Sequence, residues 1–190
     1  MVRVIGIAGS LRRGSLNHGL LAAAAETMPA GARLEIASIA GIPLYNGDDE
    51  AAHGLPAAAV ALKEAIAAAD GLLIATPEYN NSLPGVLKNA IDWLSRPAGD
   101  IPRVFGGKPV AIFGASPGGF GTLSAQEAWL PVLRLLGTRP WFEQKLMVAR
   151  AGGLFDSDGR LTDPATRERL AAYLAGFVAA IAQGRRVPSG

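Results

Sequence analysis

The chain has no cysteine, which removes disulfides, thiolate nucleophiles and cysteine-held iron–sulfur clusters from consideration. Histidine is nearly as scarce. His18 and His53 are the two in 190 residues, far apart and without a ligand cluster. No metal site is therefore expected, and both histidines read as packing or surface residues. Charged residues make up only 18% against 49% hydrophobic ones, a balance that excludes a disordered chain. The net charge of +2 comes from scattered basic residues, with Arg12–Arg13 and Arg185–Arg186 the sole adjacent pairs. A nucleic-acid partner would need a basic face, so none is expected. Long apolar runs are also missing. The longest uncharged one, residues 171–182, is too short to cross a bilayer, and residues 4–8 are too short for the core of a signal peptide. The expectation is a single domain over residues 1–190, cytoplasmic and away from membranes.

What is present is an alternation of short apolar strands and alanine-rich helices. Residues 2–8 are a β-branched run ending at Gly9-Ser10. Residues 15–28 read as a helix stopped by Pro29-Ala30-Gly31, and residues 33–39 as the second strand. Residues 41–54 read as a loop, 56–69 as a helix, 71–75 as a strand, and 84–95 as a helix with Pro84 near its first turn. Residues 96–108, with two prolines and three glycines, read as a loop before the strand at 109–115. Pro131 kinks or breaks the helix predicted over 122–136. A fifth strand is expected at 146–149. The last helix, 162–183, opens on the cap signal Thr162-Asp163-Pro164, with Arg185-Arg186 complementing its dipole. This alternation implies a parallel sheet covered on both faces. The expected fold is α/β, a flavodoxin-like three-layer sandwich on a five-stranded parallel sheet of order 2-1-3-4-5. In such sheets ligands bind at the carboxyl edge, beside the first and third strands.

Three loops at that edge carry chemistry. The first runs Gly9-Ser10-Leu11-Arg12-Arg13-Gly14-Ser15-Leu16-Asn17 into a helix N-terminus, where free N–H groups and the helix dipole favour an anion. Ser10, Ser15 and Asn17 add neutral donors, and Arg12 adds a charged fork suited to phosphate. It is neither a Walker loop nor a G-x-G-x-x-G turn. The second loop, Thr76-Pro77-Glu78-Tyr79-Asn80-Asn81-Ser82, places an aromatic ring and two amides where a planar ring would lie. Glu78 is either a cofactor contact or an interface residue, and Tyr79 either lines the ligand or simply packs. The third loop, Ser116-Pro117-Gly118-Gly119-Phe120-Gly121-Thr122, lets the backbone approach a ligand closely and offers N–H groups to a ring carbonyl. Together the loops point to a flat cofactor bearing a phosphate, which FMN fits best.

These residues, with Pro84-Gly85 and Leu87-Lys88-Asn89-Ala90-Ile91-Asp92-Trp93, resemble the NADPH-dependent FMN reductase family of quinone, chromate and azo-dye reductases. The similarity spans residues 2 to about 136. It implies bound FMN, NADPH or NADH as co-substrate, a small-molecule electron acceptor, and a homodimer or homotetramer with the flavin near the interface. By resemblance, Ser10, Arg12, Ser15, Leu16 and Asn17 hold the phosphate. Pro77, Glu78, Tyr79, Asn80, Asn81 and Ser82 flank the isoalloxazine, and Ser116, Pro117, Gly118, Gly119 and Gly121 cover its pyrimidine side. Trp93 and Leu94 are expected at a dimer interface. Some members carry Gln-x-x-x-Leu-Arg at a tetramer contact. Here Gln126 is present, but Leu130-Pro131 stands where the arginine would, which weakens transfer of that contact and of the chromate activity.

The expected reaction is two-step hydride transfer through the flavin, with no acid–base dyad required of the protein. The rival enzymatic reading, a serine hydrolase at Gly114-Ala115-Ser116-Pro117-Gly118, meets two objections. Pro117 lacks the oxyanion-hole N–H, and both histidines precede the serine. The non-enzymatic alternative is a flavodoxin-type electron carrier, which the basic charge disfavours. Trp129, Trp141 and Phe142 are expected in the core or at a subunit interface.

Overall fold

The computed structural model describes residues 1–184. β1 (Val2–Ala8), α1 (Leu16–Glu26), β2 (Ala32–Ala37), α2 (Gly47–His53), α3 (Ala57–Ala67) and β3 (Gly71–Ala75) build the first half. α4 (Gly85–Leu94), α5 (Ile101–Val104), β4 (Pro109–Ala115), α6 (Leu123–Ala128), α7 (Leu130–Leu135), β5 (Arg139–Pro140), β6 (Leu146–Val148) and α8 (Pro164–Gly184) build the second. All pairings are parallel, in the order β2-β1-β3-β4, and the fifth position is shared. β5 pairs the start of β4 through Pro109 and Val110, and β6 pairs its end through Phe113, Gly114 and Ala115. The expected order 2-1-3-4-5 therefore holds, with its last strand split in two. The short β5 carries no periodicity from which it could have been read.

The central strands β3 and β4 are apolar because both their faces are covered, whereas the edge strand β2 carries Arg33 and Glu35. Leu73, Ala75, Ala111 and Phe113 face α1 and α8, where Leu20, Leu21, Tyr173 and Phe177 are buried. Leu72, Ile74, Val110 and Ile112 face α3, α4 and α7, against Leu62, Ile66, Leu87, Ile91 and Leu133. Each large side chain removed from water contributes about 1.5–3 kcal/mol, so the two cores fix which strand edges meet. The carboxyl ends of β1, β3 and β4 consequently emerge side by side.

Three expectations need correction. The loop read over 41–54 contains α2. Asn46 caps it and Asp48, Asp49 and Glu50 suit its first turn, but it buries no residue and so leaves no apolar stripe. Within 96–108, a single 3₁₀ turn leads into α5. Trp93 and Leu94 are buried in this chain's own core, 1% and 0% exposed, and so present no face to a partner. Phe142 is half exposed, unlike Trp129 and Trp141, which are buried. The broken helix is as expected: α6 ends at Ala128 and α7 restarts with Pro131 in its first turn. Asp163 caps α8, its carboxylate accepting from the Thr166 N–H at 2.8 Å. Arg185 and Arg186 lie outside the described residues.

The surface segment carrying α2 is tied to α4. Pro43 O accepts from Asn89 Nδ2 and from Trp93 Nε1, at 2.8 and 2.9 Å. The Tyr45 hydroxyl, and beside it the Arg96 guanidinium, hold the Glu50 carboxyl below its usual range. Among the described residues no helix is long and apolar enough to cross a membrane.

Candidate active site

β1 ends against β3 with Gly9 N–H donating to Ala75 O at 2.9 Å. A side chain at Gly9 would meet Leu87 and Pro77 at 2.8 Å, so only glycine lets the next residue enter the cleft here. Ser10 follows, 3% exposed. Its Oγ accepts from the Arg12 N–H at 3.2 Å and from the Tyr79 hydroxyl at 3.4 Å, joining the first loop to the second. Ser15, 5% exposed, caps α1 by accepting from the His18 N–H at 3.4 Å. Both hydroxyls accept from backbone N–H groups, and the Ser15 hydroxyl hydrogen has no acceptor among the described residues, while the Ser10 and Tyr79 hydroxyls can each donate to the other. Arg12 is exposed and forms no ion pair among them.

Ser10, Arg12, Ser15, Leu16 and Asn17 line one cavity of about 90 Å³ with Pro77, Glu78, Tyr79, Ser116 and Pro117. Two buried hydroxyls, a helix N-terminus and a guanidinium without an ion pair form a donor set suited to an oxyanion, and the Glu78 carboxylate on the same lining is engaged by the Ala125 N–H. The cavity's size suits a small anionic head group, with the remainder of any larger ligand lying along the open edge outside it.

Asn17 has a structural part besides the expected one. It is 3% exposed, with Nδ2 donating to Ala115 O and Oδ1 accepting from Ala115 N–H, both at 2.9 Å. The reason is in the register. β3 ends its ladder at Ala75, opposite Phe113, while β4 continues two residues further. The side chain of Asn17 takes the place of the missing strand, pairing both backbone groups of Ala115. It joins α1 to β4 and shapes the wall of the cavity.

The second loop is a tight hairpin. Tyr79 and Ser82 exchange backbone hydrogen bonds of 3.1 and 3.0 Å, and Asn80 and Asn81 lie between them at φ 51° and 56°. Positive φ at both central residues is the I′ turn, and asparagine tolerates it better than most residues. This positions the Tyr79 ring at the cleft, half exposed. Asn80, Asn81 and Ser82 stand beyond the cavity, on the open edge. Glu78 borders the same cavity and has a further, structural part within the chain. Its carboxylate accepts from the Ala125 N–H at 3.1 Å, holding the second loop to α6. Below it, Thr76 Oγ1 accepts from Trp129 Nε1 at 3.1 Å and donates to Pro77 O at 2.9 Å.

In the third loop the Ser116 N–H is taken by Val148 O at 3.0 Å, and Pro117 has none. The N–H groups of Gly118 and Gly119 have no acceptor among the described residues, and no atom lies where a side chain would crowd at Gly119. Gly121 faces inward. At φ 58° a side chain there would meet the Met147 backbone at 2.8 Å, so this glycine sets the turn against β6. Phe120 is 75% exposed beside the cleft. Sequence reasoning missed the part of Thr76, which depends on Trp129, 53 residues away. Among the described residues no group of three metal-ligating side chains comes together.

The arrangement matches proteins of known activity. The family model described as NADPH-dependent FMN reductase matches residues 2–153. An NAD(P)H-dependent FMN reductase of Pseudomonas aeruginosa is 49% identical over 167 residues, 88% of each chain. A 2-hydroxy-1,4-benzoquinone reductase of Burkholderia is 40% identical over 186 residues, 98% of this chain and 99% of that one. Among solved structures, the flavoenzyme NAD(P)H:(acceptor) oxidoreductase FerB of Paracoccus denitrificans superposes with a TM-score of 0.85 at 34% identity, covering 96% of this chain and 98% of that one. With the sheet order, the three loops and the anion seat already in place, the chain belongs to the NADPH-dependent FMN reductase family.

Proposed function

We propose that the cavity between the first and second loops seats the phosphate of FMN, and that the protein uses FMN to oxidise NAD(P)H and reduce a small acceptor. The observation that carries this reading is the pair of buried hydroxyls, Ser10 and Ser15, lining one cavity with Arg12, which forms no ion pair among the described residues. Bound FMN would supply the hydride chemistry, accepting from NAD(P)H and passing on to the acceptor.

The residues' parts follow from their places. Ser10, Ser15 and Arg12 bind the phosphate, and Leu16 closes the cavity wall. Asn17 keeps that wall in register through Ala115. Pro77 and Tyr79 bound one side of the planar ring, and the I′ turn of Asn80 and Asn81 fixes their angle. The N–H groups of Gly118 and Gly119 are directed to the ring's polar edge, where negative charge gathers on reduction. Fixed donors of this kind need no reorganisation when that charge forms. Ser116 and Pro117 pack the end of the third loop. The exposed rings of Tyr79 and Phe120 favour a flat acceptor, such as a quinone, a flavin or an azo dye, over a metal oxyanion. The relatives' names favour this reading over a flavodoxin-type carrier. We place the protein in the cytoplasm, as a homodimer or homotetramer, consistent with its lack of cysteine and with the apolar side chains of Leu135 and Phe142 on its surface.

The acceptor is tested by following NADPH consumption in the FMN-loaded protein with 1,4-benzoquinone, free riboflavin, an azo dye and chromate in turn. Turnover with the quinone well above that with chromate supports the reading, and the reverse order overturns it.

A further inference from the structure

His18 lies in the first turn of α1, directly after the first loop, and its ring reaches back to it. Nε2 lies 2.7 Å from the carbonyl oxygen of Ser10. A carbonyl can only accept, so Nε2 carries the hydrogen and donates it. The ring does not border the phosphate cavity. It lines a different hollow, about 460 Å³, between α1 and the 156–162 segment. Anything it does for a ligand in the cavity is done through Ser10.

The Ser10–Leu11 peptide is trans, the one cis bond among the described residues being Arg96–Pro97. In a planar trans peptide the C=O and N–H point in opposite directions. Holding the Ser10 carbonyl toward His18 therefore aims the Leu11 N–H away from the ring. That N–H has no acceptor among the described residues. If the peptide turned over, the Ser10 carbonyl would leave His18 and point to the opposite side, where a bound anion would be repelled if it lay there.

We infer that His18 is a positioning residue: by holding the Ser10 carbonyl it fixes the Ser10–Leu11 peptide with its donor end toward the bound phosphate. The inference rests on the proposed FMN site. It assigns to this histidine a part in recognising the phosphate specifically, apart from the ring.

The test compares apoprotein affinities for FMN and for riboflavin, which lacks the phosphate, by fluorescence titration. The variants are His18→Leu, without a donor, and His18→Gln, whose amide nitrogen reaches about as far as Nε2. Urea unfolding of each apoprotein runs alongside. His18→Leu is expected to lose about tenfold in FMN affinity, the worth of one hydrogen bond to a charged site, with riboflavin affinity unchanged. His18→Gln is expected to restore most of the difference. A wild type that binds FMN no better than riboflavin overturns the phosphate seat itself. A wild type that prefers FMN, with the same preference in His18→Leu, overturns the role of His18 alone. Equal loss of FMN and riboflavin marks a merely structural residue and also overturns it. If His18→Leu does not fold, His18→Ala takes its place in the same comparison.

Discussion

Replacing Asn17 by alanine separates a side chain that builds the site from one that touches the ligand. The substitution removes two buried hydrogen bonds of 2.9 Å and leaves both the N–H and the C=O of Ala115 without partners. Ala115 is 2% exposed, so water reaches these groups poorly. Leaving a buried backbone group unsatisfied costs about 1–3 kcal/mol, and two such groups give about 2–6 kcal/mol, less whatever a water entering the vacated space restores. That is a large part of the stability of an ordinary domain. The assay is urea unfolding of the apoprotein, where the loss must appear with no flavin present. Asn17→Asp discriminates further. Its carboxylate can still accept from the Ala115 N–H but faces the Ala115 carbonyl with negative charge, so it recovers at most part of the loss. An apoprotein carrying Asn17→Ala with an unchanged urea midpoint and only weakened FMN binding would refute the reasoning and return Asn17 to direct phosphate contact.

Three further outcomes are expected. Arg12→Ala weakens FMN binding by about tenfold or more, the worth of a charge-assisted hydrogen bond, while the spectrum of the flavin that still binds stays the same; equal affinity in a titration contradicts the phosphate seat. Gly19→Ala places a methyl 2.1 Å from the Gly159 carbonyl oxygen, so α1 must part from the 156–162 segment; a fall in melting temperature checks this, and wild-type stability contradicts the contact. The Asp163 carboxyl is held below its usual range by Thr166, so its stabilisation is present above the ordinary carboxylate range and is lost as pH falls through the depressed value. Asp163→Asn, which keeps a capping oxygen without titrating, should therefore melt close to wild type near neutrality and lose less stability between neutral and acid pH, whereas an identical acid limb contradicts the cap.

The sheet was legible in the sequence because its central strands are apolar on both faces, and Gly71–Ala75 and Pro109–Ala115 begin and end where the pattern put them. The clustering of the three loops followed from strand order. α2 stayed hidden because it buries nothing and is held by Tyr45, Asn46 and Glu50, whose bonds leave no periodic trace. The individual parts within the site were less visible. Asn17 reads as a donor at a helix start, but its partner lies 98 residues away, where β4 outruns β3. Glu78 likewise finds Ala125 across 47 residues. His18 looked like a packing residue because nothing local shows a ring turning back onto Ser10. Trp93 and Leu94, expected at an interface from resemblance, face inward instead.

The central claim is that this chain holds FMN and reduces it with a nicotinamide. The most direct measurement is the visible spectrum of the protein after mixing with FMN and passage through a desalting column, followed by NADPH or NADH without oxygen. A flavin spectrum that stays with the protein and bleaches rapidly on adding either nicotinamide is the predicted result. A flavin that stays but bleaches only with dithionite, or one that is not retained and shows no saturable binding in a titration, would contradict it.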